Sequence, residues 1–549
     1  MLYGAVSVVF FGLPALTHLG RNCACGAGPD PTMFMWFLAW WPQALLHGLN
    51  PFFSNAVFAG DNLDIGGVAE VPGAAIAIAP VTLLFGPIVS FNVLMLAAPM
   101  LAAGFAFLLC RYVSRSFAAS LVGGYLFGFS PYMLGHMLVH LNLVLTFPIP
   151  AGIHLVLRLI DGAIGRRRYV VLMALDLAAL LLFSTELAAV FVALGATALA
   201  IAMAMIAEER SRLRGAIAPT LIAGVLAMLV TSPVMYHTLR GTTAGFNDFG
   251  NLYGGDALGF LVPSPIIALG GGSFGAVSRT FNGGNFAESG IYLGLPVVAI
   301  LAWYFVTRWR APCVRLLFAM LGLIVVLLLG SHLRIDGDPT IALPWRLLDK
   351  LPLVREVTPV RLGLYVYLIA ALVVSMWLAD RRDGALDTAK WLMAVLAILF
   401  ILPTLRQGLW GAQHSNPAFF TTGQYKRYLR RDATVLILPW SWHGDGMLWQ
   451  AETGTWFRTA GGYIGKLFPA DYYGDPMRPA LLDGRMAGAA NRLPAFLGTH
   501  HVSAVIVDSA DPGPWPAVLA RIGLSGSRIG GVLFYRVPSA AHGSATVRA

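Results

Sequence analysis

GPDPTMFMWFLAWWPQALLHGLNPFFSNAVFAGDNLDIGG, residues 28–67, sets three carboxylates (Asp30, Asp61 and Asp64) beside a run crowded with tryptophan. Asp30 precedes Pro31, which suits a helix N-cap followed by proline at the first helical position. From there Met33, Trp36, Phe37, Trp40, Trp41 and Leu45 recur at helical spacing. A helix rich in Trp and without lysine or arginine is expected to lie in the membrane interface rather than to cross it. That places an acidic side chain at the boundary between water and lipid.

The rest of the chain makes a membrane setting unavoidable. Of 549 residues, 57% are hydrophobic and only 12% charged. The mean hydropathy is +0.71, a balance outside that of ordinary soluble domains. The formal net charge of +10 is spread in short basic clusters between long apolar runs, so it reads as topology and not as a nucleic-acid surface. Four cysteines make no disulfide framework in a chain of this length. Cys23 and Cys25 are too close in sequence for an easy bridge. Residues 1–19 lack a positive leading region, so a retained first helix is expected rather than a removed signal peptide.

Apolar runs of roughly 17 to 25 residues mark spans. About eleven are expected, near 2–19, 88–110, 117–136, 141–160, 169–186, 188–206, 216–236, 289–307, 313–330, 362–379 and 389–405. The segment 70–87 is apolar but interrupted by Pro72, Pro80 and Pro87, and reads as a re-entrant or interfacial hairpin. Alternate connections carry Arg111 and Arg115, then Arg166 to Arg168, Arg210 to Arg214, Arg308 and Arg310, and Arg381 and Arg382. Such loops belong on the cytoplasmic side, with the N-terminus, in a cytoplasmic (inner) membrane. The connections 20–87, 237–288 and 331–361 then face outward, as does everything beyond 406.

After that point the apolar segments become strand-like: TVLILPW at 434–440, VSAVIVDSA at 502–510 and GVLFYRV at 531–537. The expected organisation is a transmembrane catalytic module over 1–405, a small extracytoplasmic α/β domain over 406–540, and a disordered tail over 541–549. The fold class is thus mainly α and polytopic.

The pattern resembles the GT-C superfamily of integral-membrane glycosyltransferases, in particular bacterial YfhO-type and related members. One span followed by a first outer loop with an acid at its start is matched by Asp30 and DPTMFMWFLAWWPQALLHGLNPF. Further matches are FGFSPYMLGHMLVHLNL at 127–143, ESGIYLGLPVV at 288–298 and LPLVREVTPVRLGL at 351–364, with an outer domain beginning on a VLILPW-like strand. The resemblance implies a sugar donor on a polyprenyl-phosphate carrier and transfer, with inversion, to a glycan, lipid or protein acceptor on the outer face. It also implies that Asp30 is the general base toward the acceptor hydroxyl.

That chemistry needs a carboxylate for the acceptor proton and cations for the departing phosphate. Asp30 fills the first role; the alternative is that its carboxylate only caps the following helix. Asp61 and Asp64 are candidates for acceptor or metal contact, against solvated loop residues, and a divalent cation (Mg or Mn) is allowed but not required. Of the outward arginines, Arg355 and Arg361 lie inside a family-like segment and Arg240 follows, each with headgroup contact or a salt bridge as its competing role. His136 and His140, four residues apart, share one helix face and could bind phosphate or, given a third ligand that the sequence does not reveal, a metal; the commoner role is a hydrogen-bonded pair capping the helix end. Asp176 and Glu186 lie within or beside spans, where an acid needs a partner or a task. Asp176 is expected to pair with an arginine, and Glu186 is the reserve active-site acid.

No Walker-type glycine loop, paired CxxC or HExxH is present, which argues against an ATP-driven pump or a zinc protease. A transporter or flippase, or a polymerase of lipid-linked saccharides, is the competing class, but neither an internal repeat nor a transport role for the terminal domain is evident.

Overall fold

The computed structural model describes residues 1–60, 62–68, 70–241, 253–351, 354–380, 385–406, 409–465 and 468–538, apart from the side chains of residues 241 and 355. Asp61 and the Arg355 side chain therefore lie outside the described residues. Among those described, six helices are long and apolar enough to cross a membrane: Pro87–Ser114, Phe117–His136, Leu141–Ile160, Thr185–Met205, Ala207–Val230 and Pro359–Ala379. Shorter apolar helices at Leu2–Thr17, Pro72–Phe85, Leu295–Arg308 and Pro312–Leu328 accompany them. Helices also cover the two remaining expected spans, at Arg166–Phe183 and Ala385–Phe400. The chain is a multi-pass membrane protein.

Helix Gly363–Ala379 is buried along almost its whole length and packs against Pro87–Ser114 and Phe117–Gly128. Small residues permit this close approach, as expected where lipid supplies no hydrophobic drive between helices. A Cβ on Gly123 would stand 2.1 Å from Ser375 Oγ and 2.9 Å from the Ala371 carbonyl oxygen.

The segment expected as a hairpin is instead one helix, Pro72–Phe85, with Pro72 at its start and Pro80 inside it. Gly86 breaks the chain at φ 89°, and Pro87 opens the next helix. Two of the three prolines thus sit at helix starts, where their missing N–H is not needed.

The tryptophan helix, Asp30–Leu46, also departs from expectation. It does not float at a lipid interface: Trp36, Trp40 and Trp41 are at most 4% exposed, and every residue from Pro31 to Pro42 is buried. One side packs on helices Pro72–Phe85 and Pro87–Ser114, the other on helix Gly446–Glu452 of the C-terminal region. Trp36 Nε1 donates to Gln450 Oε1 at 2.6 Å, and Gln450 Nε2 in turn donates to the Ala56 and Phe457 carbonyls at 2.5 and 2.9 Å. Trp40 Nε1 likewise donates to the Pro51 carbonyl at 2.8 Å, whereas the buried Trp41 Nε1 has no partner among the described residues. Large rings that supply apolar contact and, in two cases of three, satisfy their N–H groups suit a protein interior as well as a membrane surface.

The C-terminal region builds a five-stranded sheet from β1 (Thr434–Leu438), β2 (Arg458–Thr459), β3 (Ala504–Asp508), β4 (Gly526–Ile529) and β5 (Val532–Arg536). The order is β4–β5–β3–β1–β2, parallel across β2–β1–β3 and antiparallel across β3–β5–β4. All three apolar segments read as strands lie in it. A separate two-stranded ladder, Asn22–Cys23 on Ala412–Gln413, ties the start of the first outer loop to the approach of this region. Cys23 and Cys25 are bridged, contrary to expectation, with their Cα atoms 5.1 Å apart. Residues two apart in extended chain present their side chains on one face, which brings the pair within reach.

Candidate functional site

Asp30 is the first residue of its helix, and its N-cap is Pro29. The carboxylate is not spent on the helix end: no side-chain cap bond forms there. Instead Tyr463 donates its hydroxyl to Oδ1 at 2.5 Å, and His140 Nε2 lies 3.2 Å from Oδ2. Burial by itself would raise the Asp30 pKa, but the bonds from His140 and Tyr463 and the positive field of Arg361 outweigh it and hold the group below the usual carboxylate range. Tyr463 is pushed the other way, by burial and by the neighbouring carboxylate, so its hydroxyl stays a donor. The Asp30 side chain keeps 20% of its surface exposed.

His140 also meets His136, Nδ1 to Nδ1 at 3.0 Å. With Nε2–H of His140 directed at Asp30, a neutral ring leaves Nδ1 to accept from His136. His136 ends helix Pro131–His136, and the chain turns once more before His140 precedes the short helix Leu141–Val144. The Tyr132 ring packs edge-on against His136 at 4.3 Å between centroids.

A second carboxylate, Glu288, is brought to this pair by a close backbone approach. A Cβ on Gly290 would stand 2.6 Å from the Pro131 carbonyl oxygen and 2.8 Å from Tyr132 Cα, so only glycine admits the contact. Ligand atoms of His136, His140 and Glu288 all lie within 4.8 Å of one another.

Arg361, in the tight turn Pro359–Leu362, closes the cluster. Its Nη1 pairs with Glu186 Oε2 at 2.5 Å, its Nε lies 3.1 and 3.2 Å from the two Glu288 oxygens, and its Nη2 also donates to Glu288. Glu186 sits in the first turn of helix Thr185–Met205, which Ser184 caps, and its other oxygen accepts from the Thr358 N–H at 3.0 Å. Glu288 is only 2% exposed, against 19% for Arg361 and 17% for Glu186.

Five candidates from distant parts of the sequence thus meet: Asp30, His136, His140, Glu186 and Arg361. Sequence reasoning missed two members. Glu288 opens the family-like ESGIYLGLPVV segment, so the signal was present there. Tyr463 lies in a glycine-flanked GGYIG stretch with nothing to link it to a residue 433 positions away.

The other candidates lie elsewhere. Asp64 accepts from His237 Nδ1 at 2.9 Å, and His237 stacks on Phe52 at 4.2 Å. Arg240, on the same helix as His237, lies over the Tyr236 ring at 4.6 Å. These contacts join helix Ser232–Gly241 to the first outer loop, which Thr238 also reaches through the Gly66 carbonyl at 3.0 Å. Asp176 has no arginine partner among the described residues: its buried Oδ2 lacks a hydrogen bond and points toward Gly152.

Solved structures with a similar fold are membrane glycosyltransferases. The archaeal oligosaccharyltransferase AglB from Archaeoglobus fulgidus, in complex with an inhibitory peptide and a dolichol-phosphate, aligns with TM-score 0.52 at 10% identity over 98% of this chain and 73% of its own. Arabinofuranosyltransferase AftD from Mycobacteria aligns with TM-score 0.59 at 14% identity, over 98% of this chain and 41% of its own. ArnT from Cupriavidus metallidurans in the apo state gives TM-score 0.50 at 12% identity over 97% of both chains. These are GT-C enzymes, and at such identities the likeness shows a shared fold. No curated protein matches the chain. The family profile described as "Domain of unknown function (DUF6311)" matches residues 4–402, and the chain belongs to that family.

Proposed function

We propose that this protein is a membrane glycosyltransferase that moves a sugar from a polyprenyl-phosphate carrier to an acceptor hydroxyl, with Asp30 as the general base. The observation that carries this reading is the Asp30 network: an ionised, partly exposed carboxylate held by Tyr463 and His140 at the head of the first outer loop, in a fold shared with GT-C glycosyltransferases.

In the proposed reaction Asp30 accepts the proton of the acceptor hydroxyl while its oxygen attacks the anomeric carbon. The bond from that carbon to the carrier phosphate breaks, its electron pair leaves with the phosphate, and the configuration inverts. A carboxylate held low in pKa is a modest base, but it is fully ionised at neutral pH and grows more basic as the reacting hydroxyl displaces a donor. His140 and His136 steady the local charge beside the leaving phosphate. Arg361 binds the phosphate only by releasing part of its grip on Glu186 or Glu288, so in the resting state it serves chiefly to position those acids. Arg240 and Arg355 are assigned to the carrier phosphate or to lipid headgroups. Asp61 and Asp64 are assigned to the acceptor side.

Two carboxylates, Glu186 and Glu288, pair with the one arginine, and a third, Asp30, is met by His140, an excess of negative charge that suits a divalent cation. The donor set fits one: His136, His140 and Glu288 converge, and their mix of imidazole and carboxylate favours Mn over Mg. When bound, the cation would supply electrostatic stabilisation of the departing phosphate. Asp30, Tyr463 and Arg361 remain as described in either case.

The arginine-rich alternate loops support a reaction on the outer face of the cytoplasmic membrane, with the N-terminus inside. The YfhO-type likeness rests on the quoted motifs alone. Transporter and polymerase readings leave the Asp30 network without a task.

The test is to reconstitute the purified protein with a polyprenyl-phosphate-linked sugar and a cell-envelope extract, and to follow release of polyprenyl phosphate. Release that depends on protein and is reduced by EDTA supports both the reaction and the cation. No release with any carrier-linked sugar refutes the reading.

A further inference from the structure

A second cluster with metal-ligating chemistry lies away from the Asp30 network. Cys23, Cys25 and His414 present sulfur and nitrogen atoms within 4.8 Å of one another. His414 Nε2 stands 3.9 Å from Cys25 Sγ, while its Nδ1 lies 2.9 Å from Asp445 Oδ1. The second Asp445 oxygen accepts from the Ser415 N–H at 2.6 Å. Asp445 therefore accepts a hydrogen bond from Nδ1–H and leaves the Nε2 lone pair facing the sulfurs, as a carboxylate behind a metal-binding histidine does. Both cysteines are fully buried, and the His414 side chain is 6% exposed.

The frame around the cluster is rigid. The Cys25 carbonyl accepts from the Ala412 N–H at 3.0 Å, and Gly26 donates to the Leu138 carbonyl at 2.7 Å. Asn92 accepts from the Ala24 N–H at 2.8 Å and donates to the Asn22 carbonyl at 2.9 Å. A disulfide alone needs no histidine aimed at it and no carboxylate behind that histidine.

We propose that Cys23, Cys25 and His414, supported by Asp445, form a thiophilic metal site in the dithiol state, and that bridge formation and metal binding compete for the same two sulfurs. In the newly made chain Cys23 and Cys25 are both thiols. Zinc binding then releases their two protons and forms two Zn–S bonds and one Zn–N bond, leaving a fourth position to water. Ligands about 2.3 Å from one tetrahedral ion stand ~3.7 Å apart, close to the observed sulfur–nitrogen separation. Alternatively two electrons and two protons leave to an oxidant such as a quinone-coupled disulfide donor, and the bridge closes. The Asn22–Cys23 ladder on Ala412–Gln413 joins the first outer loop to the C-terminal region in both states. A metal held by His414 as well as the two sulfurs adds a second tie, four residues before Pro29, that the bridge alone does not make, which makes this a positioning site for the loop that carries Asp30.

The experiment uses the full-length protein in detergent, opened with a phosphine, which takes oxygen from water as it reduces the bridge to two thiols. Cadmium is the probe, because thiolate–cadmium charge transfer absorbs in the ultraviolet and carboxylate or imidazole sites do not contribute. The reduced protein is expected to bind one cadmium per chain with that band, and zinc is expected to protect Cys23 and Cys25 from N-ethylmaleimide in peptide mass spectra. Cys23→Ser/Cys25→Ser should abolish the band, and Asp445→Asn should weaken affinity by about 10- to 100-fold. The zinc-protection readout needs no variant, so a misfolded mutant does not blunt the test. Equal alkylation with and without zinc, or a band that survives Cys23→Ser/Cys25→Ser, overturns the proposal.

Discussion

Tyr463 donates a 2.5 Å hydrogen bond to Asp30 across 433 residues of sequence, joining the C-terminal region to the head of the first outer loop. The contact explains why a carboxylate beside a helix N-terminus is not simply a cap. It also makes the C-terminal region part of the candidate site rather than an appendage.

Removing the Tyr463 hydroxyl tests that link. A hydrogen bond to a charged group contributes ~1.5–3 kcal/mol. Tyr463→Phe is expected to keep the fold, to raise the Asp30 pKa and to move the acid limb of the transfer-rate profile toward higher pH. An unshifted profile would mean that Tyr463 does not tune Asp30.

Arg361 binds two acids that, among the described residues, no other cation pairs with. Arg361→Ala is expected to lower stability by about 3–5 kcal/mol, because it strands Glu186 and the buried Glu288. Combining it with Glu288→Gln should recover part of the loss, measured as the thermal midpoint of the detergent-solubilised protein. A single variant as stable as wild type would show that the pairs are replaceable by water.

Glu452 gives a pH signature. Burial raises its pKa to about 7, partly countered by the hydrogen bond from Asn416. Its folded pKa lies above the unfolded value, so its contribution to stability is fully present below about pH 4.5 and is lost as pH rises through 7. Glu452→Gln should flatten the fall in thermal midpoint between pH 5 and pH 8, all else equal. An identical fall in both proteins would contradict the assignment.

Gln450 anchors the tryptophan helix through Trp36 and two carbonyl groups. Gln450→Leu takes the partner from Trp36 Nε1 and from the Phe457 carbonyl, at a cost of ~1–3 kcal/mol for each such group, while the Ala56 carbonyl keeps the Thr459 N–H at 2.8 Å. The expected readout is faster proteolysis between residues 47 and 60, where the first outer loop meets this anchor. A protease pattern like that of wild type would show that packing alone holds the helix.

How much was legible in advance follows from the range of each interaction. Apolar runs report on their own burial, so every expected span has its helix, and the β-branched runs at 434–440, 502–510 and 531–537 all enter one sheet. Glu186 could be singled out because an acid beside a span is costly, His136 and His140 because residues four apart share a helix face, and Asp30 and Arg361 because they lie in the family-like segments. Their convergence could not be read, since it depends on which helices pack together. Trp36, Trp40 and Trp41 misled for the same reason: a tryptophan helix under a protein lid and one on a lipid surface share the same pattern. The Cys23–Cys25 bridge depended on local chain direction that residue spacing does not carry.

The account rests on Asp30 acting as a base. Asp30→Asn preserves size and keeps one oxygen to accept from Tyr463 or His140 but removes the charge, so the most direct measurement compares polyprenyl-phosphate release by reconstituted wild type and Asp30→Asn under identical conditions. A fall of about 10²- to 10⁴-fold with an unchanged thermal midpoint is the predicted result. Turnover equal to wild type would contradict it.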